Sequence, residues 1–276
     1  MVSTIKAITS LMTDSHCHLG SHKFSPEEIP SIIQRAHDQG VNRIITLATN
    51  PNDFARNLQI ASSDPRVYAC LGIHPCDVHQ CPDDFEELLA PHLTNPKLAA
   101  IGETGLDYFH PAPQGFSEEE YHSRQRDFLR RHFEIAKQEG LNLVIHTRDK
   151  AGTQSFDDAL AIYKDYNQEV QAVFHCFPGP AELASRVFEN GGIISFTGIA
   201  TFKNAQQVVD TVKMAPKGSF MLETDSPYLS PVPHRGKRCE PCFVKHTAEA
   251  IAKQRETPLE SLIKETEEVV KNFFRL

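Results

Sequence analysis

The sequence predicts a (β/α)8 barrel: eight parallel strands closed into a cylinder and ringed by helices. Three observations carry this expectation. Short β-branched runs alternate with longer amphipathic segments along nearly all of the 276 residues, the pattern of repeated βα units. The runs number eight, as a barrel of this type requires. Side chains of metal-ligand type recur at one end of six of those runs, and barrels of this kind build their sites at the C-terminal ends of their strands.

Taken in order, strands are expected at 10–14, 41–49, 66–73, 98–102, 141–146, 171–175, 192–196 and 219–223, each a short apolar run bounded by polar or turn-forming residues. Helices are expected between them at 26–39, stopped by Gly40, and at 52–62, 83–92, 118–139, 153–163, 181–189 and 203–214. The helix at 118–139 has the clearest punctuation. Ser117 and Glu120 form a capping box at its start, and Gly140 closes it. After the eighth strand come a helix at 245–254 and a last one opened by Thr257, Pro258 and Glu260. Nothing reads as an inter-domain linker, so a single domain is expected over 1–276. The longest irregular stretch, 228–243, follows strand eight, and loops of that length usually carry function.

A hydrophobic share of 40% and a charged share of 23% suit a globular protein. With no apolar run of about 18 residues and no secretory signal at the start, a cytoplasmic protein without a membrane partner is expected. Seven cysteines in irregular spacing argue against a disulfide framework. Cys239 and Cys242 form one CxxC, but a zinc site would need two more ligands and only His234 and His246 are near; two unrelated thiols is the preferred reading. A net charge of -8 excludes a general attraction for nucleic acid, so a polyanionic substrate would need bound cations or a local basic patch.

The chemistry starts at Asp14-Ser15-His16-Cys17-His18. On a strand, a period of two puts His16 and His18 on one face and Cys17 on the other. Strand three runs into His74, strand four into Glu103 and Asp107, strand five into His146 and Arg148, strand six into His175 and strand eight into Asp225. Each histidine taken alone reads rather as a core residue bonded to a carbonyl. Several buried polar groups converging without partners would cost about 1–3 kcal/mol each, and a metal removes that cost. His22, His37, His79, His92, His122 and His132 fall in helices or early loops and read as surface residues. The convergent set exceeds one tetrahedral site and suits two divalent ions about 3.5–4 Å apart. The natural division puts His16, His18 and Asp225 on one ion, His146 and His175 on the other, and Glu103 between them. A bridging water would be acidified to a hydroxide nucleophile, with Asp225 as general base.

The segments DSHCHLG, LGIHPCD, IGETGLDYF, VIHTRD, VFHCF and LETDSPYLSP, in this order and at these spacings, resemble the TatD family of metal-dependent deoxyribonucleases within the amidohydrolase superfamily. The resemblance runs from His16 to about Pro241. It implies a divalent-metal phosphodiesterase acting on DNA, with His16, His18, Glu103, His146, His175 and Asp225 as ligands, the set already picked from the strand ends. It also implies that His74 and Arg148 face the substrate phosphate. One departure is visible: family members commonly carry an Arg-Asn-x-Pro-like element after strand eight, whereas here Arg238 is followed by Cys239, Glu240 and Pro241.

Two features favour phosphate as the group attacked. Strand four offers Glu103 where many amide-hydrolysing relatives have a lysine to carbamylate, and the loop after strand eight holds His234, Arg235, Lys237 and Arg238. Arginine matches phosphate oxygens in pairs, so Arg235 and Arg238 are expected to clamp the DNA backbone while Tyr108, Phe109 or Tyr228 stacks on a base. One basic loop on an acidic protein suits single-stranded ends, hence exonuclease-like action. Two alternatives stand beside this: a deacylase removing D-amino acids from transfer RNA with the same site, and a metal-binding scaffold without turnover, against which the complete ligand set speaks. The residue types admit magnesium, manganese or zinc, and no stable protein partner is implied.

Overall fold

The computed structural model describes residues 11–276. Along them run β1 (Met12–Cys17), α1 (Ile29–Asp38), β2 (Val41–Leu47), α2 (Pro51–Ser63), β3 (Val67–Leu71), α3 (Glu86–Leu89), β4 (Leu98–Tyr108), α4 (Glu118–Glu139) and β5 (Leu143–Asp149). Then follow α5 (Gln154–Lys164), β6 (Ala172–Phe174), α6 (Ala181–Glu189), β7 (Ile193–Phe196), α7 (Gln206–Met214), β8 (Phe220–Leu222), α8 (Val244–Gln254) and α9 (Leu259–Phe274). The eight strands form one sheet in sequence order, every neighbouring pair parallel. The expected barrel is therefore the observed one. No helix among the described residues is long and apolar enough to cross a membrane.

Alternation along the strands sorts the core into two layers. Ile45, Cys70, Val144, Val173, Ile193 and Met221, from six strands, pack with Val270, Phe273 and Phe274 of α9. These fill the barrel interior, and α9 plugs one end of it. A larger cluster, including Ile44, Leu71, Ile145 and Phe174 together with Phe54, Phe128 and Phe133 of the helices, forms the layer between sheet and helices.

The last seam closes differently from the others. β1 and β8 share only an isolated parallel bridge, Cys17 to Ser226. Side chains complete it: the Thr224 backbone N–H and hydroxyl donate to Asp14 at 2.8 and 2.6 Å, and the Ser15 hydroxyl donates to the Leu222 carbonyl at 3.0 Å.

Some boundaries differ from expectation, each for a local reason. Strand one, expected at 10–14, runs Met12–Cys17, with Ser10 outside the described residues, so His16 lies within the strand. β4 continues 6 residues beyond its expected end at 102 to reach Tyr108. Gly102 and Gly105, residues that usually interrupt a strand, instead permit a close approach to β5. At φ of 140° and 142°, a Cβ on Gly102 would stand 2.7 Å from the Val144 carbonyl oxygen, and one on Gly105 would collide with the His146 carbonyl. The helix expected at 83–92 reduces to α3 and a 3-10 turn, Ala90–His92, where Pro91 removes a backbone donor. Pro30 likewise sits in the first turn of α1, after a separate 3-10 turn, Pro26–Glu28.

The surface reading of the remaining histidines holds for His22 and His37 only. His79, His92 and His122 are half-buried, and His132 is fully buried. The ring of His132 faces inward from α4: Nε2 accepts the Ile73 backbone N–H at 3.1 Å, and Nδ1 donates to the Phe128 carbonyl at 2.7 Å.

Candidate metal centre

The strand ends bring His16, His18, Glu103, His146, His175 and Asp225 into one cluster centred on Glu103. Its two oxygens face opposite ways. Oε2 lies 3.4 Å from the Nε2 atoms of both His16 and His18, while Oε1 lies 3.2 Å from His146 Nδ1 and 2.9 Å from His175 Nε2. Asp225 Oδ1 stands 3.3 Å from His18 Nε2 and 3.8 Å from His16 Nε2. His74 adds a fifth imidazole, its Nε2 at 3.6 Å from Glu103 Oε1.

Each position has a local cause. The period of two that aims His16 and His18 inward turns Cys17 outward, where its thiol donates to the Ile45 carbonyl at 3.4 Å. β4 and β5 pair Gly105 with His146 and Asp107 with Arg148. Asp225 has left-handed φ of 58°, an uncommon conformation for a residue with a side chain. It is held there because its backbone N–H donates to the His16 carbonyl at 2.9 Å and the His18 N–H donates to the Ser226 carbonyl at 2.7 Å. The seam of the barrel thus fixes Asp225 against the histidine pair.

The outer ring nitrogens show what the inner ones present. His18 Nδ1 donates to the Leu47 carbonyl at 3.1 Å, leaving the Nε2 lone pair to face Glu103 and Asp225. His146 Nε2 donates to Asp107 Oδ2 at 3.1 Å, so its Nδ1 lone pair faces Glu103. His175 Nδ1 lies 3.4 Å from Glu223 Oε1, a carboxylate that also accepts the Cys176 N–H at 2.7 Å. A backbone carbonyl or carboxylate behind an imidazole, as at His18, His146 and His175, is the usual support of a metal-ligating histidine; among the described residues His16 Nδ1 has no such partner. Lone pairs of carboxylates and imidazoles aimed at one another repel unless a proton or a cation lies between them. Among the described residues, His16–His18–Glu103, His16–His175–Asp225 and His74–Glu103–His146 each form a group able to hold a metal ion. The residues fit divalent metal.

The same crowding sets the protonation of these groups. Burial pushes His18 down, but the Asp225 and Glu103 carboxylates outweigh it and lift the ring to about 9. Burial would raise Glu103, yet the surrounding His175 and His74 hold it well below the ordinary glutamate range. Burial, and then the neighbouring His146, lower His74 to about 3. His74 Nδ1 accepts the Cys76 N–H at 3.1 Å, so the neutral ring carries its proton on Nε2, toward the cluster.

The residues expected at the rim separate into two groups. Arg148 lies over the Phe109 ring at 4.0 Å, and Arg235 over Phe202 at 3.8 Å; both arginines are exposed. Tyr228, 44% exposed, stands edge-on to His18 at 6.4 Å under the Lys23 ammonium, which lies 4.1 Å from its ring centre. Arg238, by contrast, donates to Glu28 at 2.8 Å and to the Lys23 carbonyl at 2.9 Å, so its guanidinium is already occupied. Tyr108 stacks on His122 at 3.8 Å and donates to Asp158 at 2.9 Å, so it is no free platform. The thiols of Cys239 and Cys242 are free and buried, while His234 and His246 face each other, Nε2 to Nε2, at 3.1 Å.

Sequence reasoning missed Lys23, Phe202 and the support Glu223, and it found Asp107 at the end of strand four without giving it a role. Glu223 had a readable signal, standing two residues before Asp225. Lys23 had none, because a long loop brings it to the rim.

Comparison with known proteins agrees. A family model for TatD-related DNases matches residues 13–275. The uncharacterized metal-dependent hydrolase YabD of Bacillus subtilis is 32% identical over 268 residues, 96% of this chain and 100% of that one. YcfH of Escherichia coli K12, described in the same words, is 33% identical over 271 residues, 96% of this chain and 95% of that one. The crystal structure of YjjV, a TatD homologue from Escherichia coli K12, matches with a TM-score of 0.86 at 27% identity, covering 98% of this chain and all of that one. With one family matched from the first strand to the last helix, and the ligand-type cluster standing at the strand ends, this chain belongs to the TatD family of metal-dependent hydrolases.

Proposed function

We propose that the protein is a two-metal phosphodiesterase that shortens single-stranded DNA from its ends. The observation that carries this reading is the two-faced Glu103, with His16 and His18 toward one oxygen and His146 and His175 toward the other. One carboxylate serving two histidine pairs is the arrangement of a bridging ligand. Divalent ions held by these residues would acidify a water for attack on phosphorus and would polarise a phosphoryl oxygen.

The chain's own groups supply the rest. Asp225, held beside the histidine pair by the seam, accepts the proton of the attacking water. The Nε2–H of neutral His74 points into the cluster and donates to a non-bridging phosphate oxygen. Arg148 on Phe109 and Arg235 on Phe202 present cations backed by aromatic faces, matched to a phosphate followed by a base. Tyr228 under Lys23 provides a further stacking surface next to His18. On a protein of net charge -8 such local contacts suit one flexible strand rather than the two backbones of a duplex.

The test is a paired assay on metal-stripped protein reloaded with magnesium, manganese or zinc. End-labelled single-stranded DNA is offered beside D-aminoacyl transfer RNA, with Asp225→Asn as control. The expected result is progressive shortening of the DNA by the reloaded protein alone, with Asp225→Asn reduced at least about 100-fold. Cleavage of the aminoacyl ester without DNA shortening would overturn the phosphodiesterase reading while leaving the metal cluster in place.

A further inference from the structure

We propose a separate metal site outside the central cluster, formed by Cys76 Sγ, Asp107 Oδ1 and His110 Nδ1 and suited to zinc. These three ligand atoms lie within 4.8 Å of one another. His110 Nδ1 is 3.0 Å from Asp107 Oδ1 and 3.5 Å from Cys76 Sγ. In a tetrahedral zinc site, with Zn–S about 2.3 Å and Zn–N and Zn–O about 2.0–2.1 Å, sulfur and nitrogen stand about 3.6 Å apart and nitrogen and oxygen about 3.3 Å. The two pairs that involve His110 already hold nearly that spacing.

The fold sets up this meeting. Cys76 lies two residues past His74 in the loop after β3, while Asp107 and His110 lie at and just past the end of β4, the neighbouring strand. Asp107 Oδ1 also accepts the backbone N–H groups of Phe109 and His110, both at 3.0 Å, which pins the turn that presents His110. Asp107 is buried and Cys76 half-buried, whereas the His110 side chain is 49% exposed. A triad closed on the protein side and open to solvent has the form of a zinc site with three protein ligands and one exchangeable position. The thiolate decides the metal class: sulfur and imidazole favour zinc or cobalt and are poor ligands for magnesium. Asp107 ties the triad to the central cluster through its other oxygen, 3.1 Å from His146 Nε2. An ion on Oδ1 would therefore steady the carboxylate that orients His146.

Cobalt(II) tests the site directly, because a cobalt–thiolate bond gives a near-ultraviolet charge-transfer band that oxygen and nitrogen ligands do not. Metal-stripped protein titrated with cobalt(II) is expected to develop this band. Cys76→Ser and His110→Ala should abolish it and each lose one bound equivalent, while Cys176→Ser, a change at another half-buried thiol, should keep it. Zinc should also slow alkylation of Cys76 in the wild-type protein, read peptide by peptide by mass spectrometry, a measurement that needs no variant to fold. Absence of the band, its survival in Cys76→Ser, or equal alkylation with and without zinc would overturn the proposal and leave Asp107 and His110 a plain hydrogen-bonded pair. None of these readouts depends on the nucleic-acid substrate, so the proposal can fail while the phosphodiesterase reading stands.

Discussion

His132 is buried in α4, with Nε2 accepting from Ile73 and Nδ1 donating to Phe128, so both ring nitrogens are satisfied only in the neutral form. Burial lowers the ring to about 4, against about 6.5 in an unfolded chain. The unfolded state therefore binds a proton that the native state refuses. Stability is intact above about pH 6.5 and falls as the pH drops toward 4, by about 2 kcal/mol at pH 5. Urea unfolding of the metal-stripped protein at pH 7 and pH 5, beside His132→Gln, should show this loss in the wild type and a smaller one in the variant; equal losses would refute it. The contrast with the cluster shows what sequence can reveal about single residues. His16, His18, His146 and His175 were legible because strand ends and period two aim them to one place. His132 was not: a helical histidine faces solvent or core according to packing across the molecule, here against β3 and β4. The pairing of Arg238 was hidden in the same way, since its partner Glu28 lies 210 positions away.

β4 is the element on which the centre depends, because it carries Glu103 between two glycines that bring it against β5. Gly105→Ala should force the strands apart at His146. The expected result is a loss of at least about 2 kcal/mol of stability, from left-handed strain plus the collision, together with reduced metal content by elemental analysis. Native stability and full metal loading would contradict this. Sequence placed the start of β4 correctly but ended it at 102, because glycine usually interrupts strands and the close approach to β5 that requires it is a tertiary fact. At the rim, the loop after β8 divides by what each arginine touches. Arg235→Ala and Arg148→Ala are each expected to raise KM for single-stranded DNA about tenfold with metal content unchanged. Arg238→Ala, already paired with Glu28, should leave KM unaltered. A KM that rises only for Arg238→Ala would reverse this assignment.

At the scale of the whole molecule, the parallel order, the helical layer and the position of the centre followed from strand count and alternation, which depend on local pattern. The seam did not, since its bonds join the two ends of the sheet. Binding of metal to the native form alone should stabilise the entire barrel, by about 2.7 kcal/mol at one hundred times Kd; calorimetry with and without chelator should show Tm lower by several degrees on stripping. An unchanged Tm would mean that the cluster binds metal too weakly to matter. Substrate binding should be salt-sensitive in proportion to the few rim cations. With Lys23, Arg148 and Arg235 on phosphates, log(kcat/KM) should fall against log[salt] with a slope of roughly two, and a flat profile would remove the rim from the reaction. The seam also governs when the cluster becomes complete. His16 lies in β1 and Asp225 just past β8, and the Cys17–Ser226 bridge, the Asp14–Thr224 bonds and the Ser15–Leu222 bond join these two edges of the sheet. A chain in which β8 has not yet docked would carry its histidines without Asp225, so the last strand to be made is the latch that completes the centre.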